Sequence, residues 1–130
     1  MKKLIVISII ISCFIALSIF EIIRSTNVFS SLANDITILR ESVSANENFV
    51  DNEQTISLSN KVMDRWNSEK RFLLVFNNHA TVRSLDEKIV AMHSSVENGK
   101  FNESMEYSAT ALSLCNDLID ETHPIVANLF

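Results

Sequence analysis

Apolar residues are distributed in two different ways along this chain. Residues 4–23 are almost continuously apolar, interrupted only by three serines and Glu21. At 1.5 Å per helical residue, a segment of this length spans about 30 Å, the thickness of the hydrocarbon core of a bilayer. In lipid every backbone amide must bond within the segment itself, and a helix satisfies that condition. Residues 1–23 are therefore predicted to be an N-terminal membrane anchor that contacts lipid through residues 4–23.

Charges that flank the anchor predict its orientation. Lys2 and Lys3 precede it together with the free amino group, whereas Glu21 and Arg24 nearly cancel after it. The positive-inside rule then places the N-terminus in the cytoplasm and residues 24–130 outside it, as expected for a single-pass protein of the cell membrane.

Two processing routes compete with an uncleaved anchor. Residues 16–18, Ala-Leu-Ser, have the small–x–small pattern of a signal-peptidase site, with cleavage after Ser18. Residues 10–13, Ile-Ile-Ser-Cys, resemble a bacterial lipoprotein box in which Cys13 would be lipidated. The uncleaved anchor is favoured because the apolar run continues past both sites to Ile23, whereas mature N-termini are usually polar. All three routes export the same domain.

Beyond the anchor, apolar positions recur every three or four residues, which is typical of amphipathic helices. Four helices are predicted: the first continues from the anchor to about Ala45, the second covers about 52–78, the third ends at Asn98-Gly99, and the fourth stops at Pro124. The apolar stripes comprise Val28, Leu32, Ile36, Leu39 and Val43; Ile56, Val62, Met63, Trp66, Leu73 and Phe76; Val82, Leu85, Ile89, Met92 and Val96; and Phe101, Met105, Ser108, Leu112, Cys115 and Ile119.

Connections between these helices are short, which favours antiparallel neighbours. We therefore predict an all-α fold in which the transmembrane helix continues into an antiparallel four-helix bundle, with a helical hairpin packed on a longer pair as the variant.

Asp51 and Gln54 resemble a capping pair for the second helix. The apolar run at 72–76 is predicted to be a helix end covered by neighbours on several faces. Residues 24–130 are predicted to be one exported domain.

Composition and charge exclude several classes of protein. One glycine and one proline argue against a turn-rich β fold and against glycine-built phosphate loops. Two cysteines are too few for a disulfide framework or a cysteine-type zinc site. The net charge of −5 provides no basic field for nucleic acid. No nucleophile with its base is recognisable, so we expect a protein that is not an enzyme and has no cofactor.

Histidines and acidic residues supply weak candidates for a metal site. His79 follows the apolar run and is predicted to close the second helix, although a ligand-binding role is the alternative. His93 and Glu97 have the i,i+4 spacing of two ligands, but an exposed helical pair is the simpler interpretation.

Asp117, Asp120 and Glu121 crowd the end of the fourth helix, where they oppose its dipole. Such a cluster has the oxygen ligands that Mg²⁺ or Ca²⁺ prefers and the charge that attracts a basic partner, but a solvated acidic end is the simpler interpretation. Cys115, on the fourth stripe, is expected to be a buried, inert thiol.

Aromatic and amide residues are the candidates for structural or interaction roles. These are Trp66, Phe72, Phe76, Asn78, His79 and Phe130. Residues 125–130 are apolar apart from Asn128, and we expect this tail to cover the gap between the first and second helices.

Through several of these residues the sequence resembles an uncharacterised bacterial family. This family is catalogued as domain of unknown function 4363 and is found mostly in spore-forming Firmicutes. The resemblance rests on Trp66 followed by basic residues, the run 72–76, the Asn78-His79 pair and the terminal residues 128–130, Asn-Leu-Phe. It implies a short, membrane-anchored helical protein without an established activity, whose relatives lie beside genes for small integral membrane proteins, some tied to sporulation.

The sequence thus favours a non-enzymatic, exported helical module that binds a neighbouring membrane or envelope protein. A bundle that senses a small molecule or metal near His79 or Asp117 is the alternative. An envelope hydrolase is a third class, for which no set of catalytic residues can be named.

Overall fold

The computed structural model describes residues 2–45 and 53–122, which form four α-helices. They are α1 (Lys2–Ala45), α2 (Glu53–Phe76), α3 (His79–Glu97) and α4 (Phe101–Thr122). Each helix packs against the next, and α4 packs back against α1, so the four form a closed ring. The predicted all-α fold, with a long N-terminal apolar helix that continues into a helical bundle, is confirmed.

The two halves of α1 have opposite surroundings. Side chains from Lys3 to Phe20 are all exposed, whereas Ser25 is buried and core residues follow it on every turn. By length and composition, α1 is suited to crossing a membrane. We call the end of the bundle where α1 becomes exposed the base, and the opposite end the far end.

Short polar sequences make both described turns. Asn78 begins α3, because its side-chain oxygen accepts a hydrogen bond of 3.0 Å from the Ala80 amide. At the far end Gly99 has φ of 65°, and its amide and that of Lys100 bond back to the carbonyls of Val96 and Ser95. These are the two bonds of a Schellman motif, so the predicted helix end at Asn98-Gly99 is confirmed.

The core lies along the axis of the bundle between the four helices. Its fully buried large side chains include Phe29, Leu32, Ile36 and Leu39 from α1, Trp66 and Leu73 from α2, Leu85, Ile89 and Met92 from α3, and Leu118 from α4. The third predicted stripe is buried at all five positions. The first stripe was predicted to begin at Val28, but Val28 is only half-buried, and the adjacent Phe29 occupies the core instead.

The fourth predicted stripe is correct at Ser108 and Cys115, which are buried, but its large members Met105, Leu112 and Ile119 each lie one position beyond a buried residue. Residues that point inward on α4 are mostly small: Ser104, Ser108, Ala111, Cys115, Leu118 and Thr122. The larger Phe101, Met105, Leu112 and Ile119 are half-buried on one flank. Because α4 lies in contact with both α1 and α3, small side chains fit the centre of its inner face and large ones cover the sides.

The prediction that neighbours cover the run 72–76 is wrong for its last two residues. Val75 is 68% exposed and Phe76 45% exposed, while Leu73 is fully buried. These residues reach the base, where the ring of helices ends. Ile56 of the second stripe is also exposed, at the far end of the same helix.

Several predictions fall outside the described residues. They are the capping role of Asp51 and every proposal for the tail, including Pro124, residues 125–130 and Phe130. The helix ends at Ala45 and Phe101 agree with the sequence pattern, and α2 is slightly shorter than predicted.

Candidate functional site

At the base α1, the end of α2, the α2–α3 corner and the end of α4 surround a cleft of about 340 Å³. We call it the base cleft. Its lining comprises Ser18, Glu21, Ile22 and Ser25 of α1, Phe76, Asn77 and Asn78 at the α2–α3 corner, and Glu121 and Thr122 of α4. The α2–α3 corner and the end of α4 therefore reach back beside the last turns of the apolar segment.

Hydrogen bonds fix these elements to α1. The Asn77 side-chain amide donates to Ser25 Oγ at 3.2 Å and to the Leu73 carbonyl at 3.2 Å, which joins the end of α2 to α1. On the other side, the hydroxyls of Thr26 and Thr122 are 2.9 Å apart. Ser25 and Thr122 are buried, and both have partners here, so the polar groups at the base are satisfied by contacts between helices.

Arg24 lies at the junction between the apolar segment and the bundle. Its guanidinium donates to Glu69 at 3.0 Å and stands over the Phe72 ring, 4.0 Å from the ring centroid. Phe72 in turn packs against Phe76 at a centroid distance of 4.9 Å. One arginine therefore links α1 to the last turns of α2 through both charge and ring contact.

The acidic end of α4 faces the start of α3 across an open groove of about 640 Å³. Asp117, Asp120 and Glu121 line one side of this acidic groove and are exposed. The other side is formed by Ala80, Thr81 and Ser84, which carry no charge. The sequence interpretation of a solvated acidic end agrees with this exposure.

His79 lies at a different helix terminus from the one predicted. It is the first residue of α3 and is exposed, so it does not close α2. The end of α2 is instead secured by Asn77, whose amide bonds to the Leu73 carbonyl at 3.0 Å. Asn78 is already the N-cap of α3, so His79 is not a capping residue of either helix.

His93 takes part in a chain of contacts that the sequence did not reveal. Its Nδ1 is 2.9 Å from Ser59 Oγ on α2, and its Nε2 is 3.5 Å from Glu97. A serine, a histidine and a carboxylate in line are the elements of a hydrolase triad. Ser59 is fully buried, however, so its hydroxyl has no access to a substrate, and the chain joins α2 to α3 instead.

Metal-ligating residues stay apart across residues 2–45 and 53–122. No group of three or more His, Cys, Asp or Glu side chains is suitably placed to hold an ion there. His79 and His93 lie near opposite ends of α3. The i,i+4 contact between His93 and Glu97 agrees with the helical-pair interpretation.

Among the residues that the structure describes, Asp35 has the most buried charged side chain, and the sequence pattern did not single it out. Its carboxylate is 4% exposed and accepts from Lys61 Nζ at 2.9 Å and from Arg65 Nε at 2.6 Å. Asp35 directly precedes Ile36 of the first stripe, and the paired cations follow one another at i,i+4 on α2. The sequence did contain a signal for this site: Asp35 is an acid next to the apolar stripe of the first helix, and no cation lies within one helical turn of it to pair with it.

Trp66 is a core residue whose indole also makes a polar contact. Its Nε1 donates to Asp86 on α3, and Lys70 Nζ lies 3.5 Å from the same carboxylate. The expected core role of Trp66 is thus confirmed, and the contact adds a second link between α2 and α3. Phe76, predicted as core, is instead at the surface of the base.

Cys115 is fully buried on the inner face of α4. Burial raises the pKa of the Cys115 thiol to about 12, because the thiolate would lose its hydration. The thiol is thus neutral at physiological pH, as the sequence led us to expect.

Comparison of the sequence with protein-family models, with curated proteins and with solved structures finds no match in any of the three.

Proposed function

We propose that this chain is a non-enzymatic, membrane-anchored module whose exported helical bundle binds a neighbouring membrane or envelope protein. The observation that carries the proposal is the unbroken helix α1, Lys2–Ala45. Its first half exposes apolar side chains on all sides, and its second half supplies one quarter of the bundle. A helix without a break holds the bundle at a fixed height and direction relative to the membrane, as a docking module requires.

The orientation follows from charge. Two lysines and the amino terminus precede the apolar segment, so the bundle lies outside the cytoplasm. A reporter enzyme active only outside the cytoplasm should be active when fused after Phe130 and silent when fused before Met1. The reverse pattern would overturn both the orientation and the export of the bundle.

The chemistry of the partner follows from the net charge of the exported part. Residues 24–130 contain nine basic and fifteen acidic residues, a net charge of −6. This sign favours a basic protein surface over anionic lipid headgroups. The acidic groove supports the choice of contact site, because it lies at the base, within reach of a second protein in the same membrane.

The resemblance to domain of unknown function 4363 supports the same location and, through gene neighbourhood, a sporulation context. The alternative of a metal-sensing bundle has less support, because the described helices bring no three ligands together. A hydrolase has less support for a different reason: the Ser59 hydroxyl, which lies in line with a histidine and a glutamate, is sealed in the core.

Photocrosslinking in native membranes tests the proposal. A photoreactive residue at Ser84, which lines the acidic groove, is compared with one at Asn67, an exposed position on α2. We expect one protein to be captured from Ser84 and not from Asn67. Reversing Asp117 and Asp120 to Lys should abolish this capture, because the partner is recognised by its positive charge.

Reversal of Glu41 and Glu53, two exposed acids near the far end, serves as the matched control. It changes the net charge equally and should leave the capture intact. Capture of lipid alone at both positions, or equal loss of capture in the two charge-reversed proteins, would contradict the proposal.

A further inference from the structure

We infer that the α2–α3 corner is a second membrane contact, a foot that rests in the lipid interface beside α1. The foot consists of Val75, Phe76 and the turn residues Asn77 and Asn78. This inference rests on the proposed function in one respect, namely that the apolar half of α1 spans a bilayer.

The first argument is exposure. Val75 and Phe76 are 68% and 45% exposed, although they are consecutive large apolar residues at the end of a well-packed helix. Each leaves apolar area in contact with water in the isolated protein, and such area contributes about 25 cal/mol per Å² when it is removed from water. Helices that lie in the membrane interface bury apolar faces of Trp, Phe and Leu side chains for this reason.

The second argument is depth. Phe76 and Asn77 share the base cleft with Ser18 and Ile22, and Asn77 bonds to Ser25. Ser18 lies seven residues before Ser25, which is about 10 Å along a helix. If residues 4–23 lie in the bilayer, the corner therefore sits at the level of the last turns inside it. Interfacial helices bury their apolar faces to a similar depth, about 5–10 Å.

The third argument is continuity. Phe20 and Ile23 of α1 are exposed, and the Arg24 guanidinium stacks on Phe72, which packs on Phe76. The apolar surface therefore passes from α1 to the foot with Arg24 above it, as a cation at headgroup level would be placed. Arg71 precedes Val75 by one turn and is exposed, so it adds a second cation at the same level.

Charge also decides which side of the base enters the lipid. The end of α4 at the same base carries Asp117, Asp120 and Glu121, all exposed and unsuited to the apolar interface. The foot therefore consists of Val75 to Asn78 alone, and the carboxylates of the acidic groove stay at the level of the headgroups and water, although Glu121 also lines the base cleft. The expected ligand is the glycerol and upper acyl region of the bilayer, contacted through apolar area without a requirement for anionic lipid.

Depth-dependent fluorescence quenching of the full-length protein in phosphatidylcholine vesicles tests the inference. An environment-sensitive thiol dye is attached at native Cys13, or at Val75→Cys or Ile56→Cys in a Cys13→Ser background. Cys13 is exposed in the apolar half of α1, and Cys115 is buried with a raised pKa, so it does not compete for the dye. The vesicles contain nitroxide-labelled lipids as quenchers.

Ile56 is the matched control, because it is also an exposed apolar residue of α2 but lies about 28 Å away at the far end. We expect strong quenching at position 13, quenching at position 75 several times that at position 56, and blue-shifted emission at position 75. Equal quenching at positions 56 and 75 would overturn the foot, whether both are high or both are low.

Two further outcomes are separable. If the dye at Cys13 is not quenched, α1 is not in the bilayer, and the anchoring proposal fails together with the foot. If Cys13 is quenched and position 75 is blue-shifted without quenching, protein rather than lipid covers the corner. That result would overturn the foot, leave the anchor intact and favour the predicted cover by residues 125–130.

Discussion

The α1–α2 interface and the inner face of α4 satisfy their buried polar groups in opposite ways. Between α1 and α2, Asp35 bonds across the interface to two cations, and Asn77 bonds across to Ser25. On α4, which packs against α3, the buried hydroxyls of Ser104 and Ser108 bond back to carbonyls of their own helix, those of Lys100 and Met105.

This difference separates specificity from packing. A serine that is satisfied within its own helix presents a small, nearly apolar surface, so a neighbouring helix can pack closely on it without a particular polar partner. A carboxylate that is satisfied across an interface requires its cations at defined positions and disfavours other registers. We therefore expect the α1–α2 interface to fix the register of the bundle, and the packing of α4 to depend on side-chain volume.

Removal of both cations that face Asp35 should have the largest effect. Lys61→Met with Arg65→Met keeps the aliphatic length but leaves a buried carboxylate unpaired, which costs about 3–5 kcal/mol. Urea unfolding of the full-length protein in detergent measures this, with the emission of Trp66, the sole tryptophan and a buried one, as the signal.

The matching control replaces two exposed cations, Arg71 and Arg83, by Met, and it should change the free energy of unfolding by less than about 0.5 kcal/mol each. Adding Asp35→Leu to the Lys61 and Arg65 double variant should restore most of the lost stability, because an apolar trio has no charge to desolvate. If the double variant is as stable as the control, the α1–α2 interface does not depend on its charges.

Enlargement of the small inner face of α4 should have the next largest effect. Ala111→Leu adds volume at a fully buried position, and such overpacking costs about 1–3 kcal/mol. For a domain of this size that lowers the melting temperature by several degrees. Ser113→Leu, on the exposed side of the same helix, is the control. A fall of equal size in both variants would show that side-chain volume on the inner face of α4 is not limiting.

High pH should weaken α4 through Cys115. The pKa of this thiol is raised from 9.0 to about 12 by burial, so the folded protein holds the proton more tightly than the unfolded chain. The thiol ionises first in the unfolded chain, so the free energy of unfolding falls as pH rises through 9 toward 12, by about 1.4 kcal/mol at pH 10. Cys115→Ala should flatten this part of the pH profile of unfolding. If the free energy of unfolding has the same pH dependence between pH 8 and 10 in the native protein and in Cys115→Ala, the thiolate is not disfavoured in the folded protein.

The smallest effect should come from removing a hydroxyl that bonds within its own helix. Ser108→Ala deletes a bond to the Met105 carbonyl and puts a better helix former in its place, so we expect a change below about 0.5 kcal/mol. The paired variant Asn77→Ala removes a bond across helices to Ser25 and should cost about 1 kcal/mol. If Ser108→Ala lowers the free energy of unfolding more than Asn77→Ala does, hydrogen bonds within α4 matter more than bonds across helices, which would contradict the comparison.

The sequence by itself determined the local features of this protein. Apolar spacing of three and four residues predicted four helices, because a helix presents one face every 3.6 residues wherever it packs. The long apolar run predicted the exposed half of α1, and Asn98-Gly99 predicted a helix end because only a residue tolerant of positive φ suits that position.

Tertiary structure decided what depends on the arrangement of neighbours. The pattern on α4 could not show that Ser104 and Ala111 face the centre, since that depends on how closely two helices approach it. The patterns on α1 and α2 could not show that Asp35 pairs with cations 26 and 30 residues away. They also could not show that Val75 and Phe76 are exposed where the ring of helices ends. Periodicity is a property of one helix, whereas burial and charge pairing are set by the registers and crossing geometry of several helices.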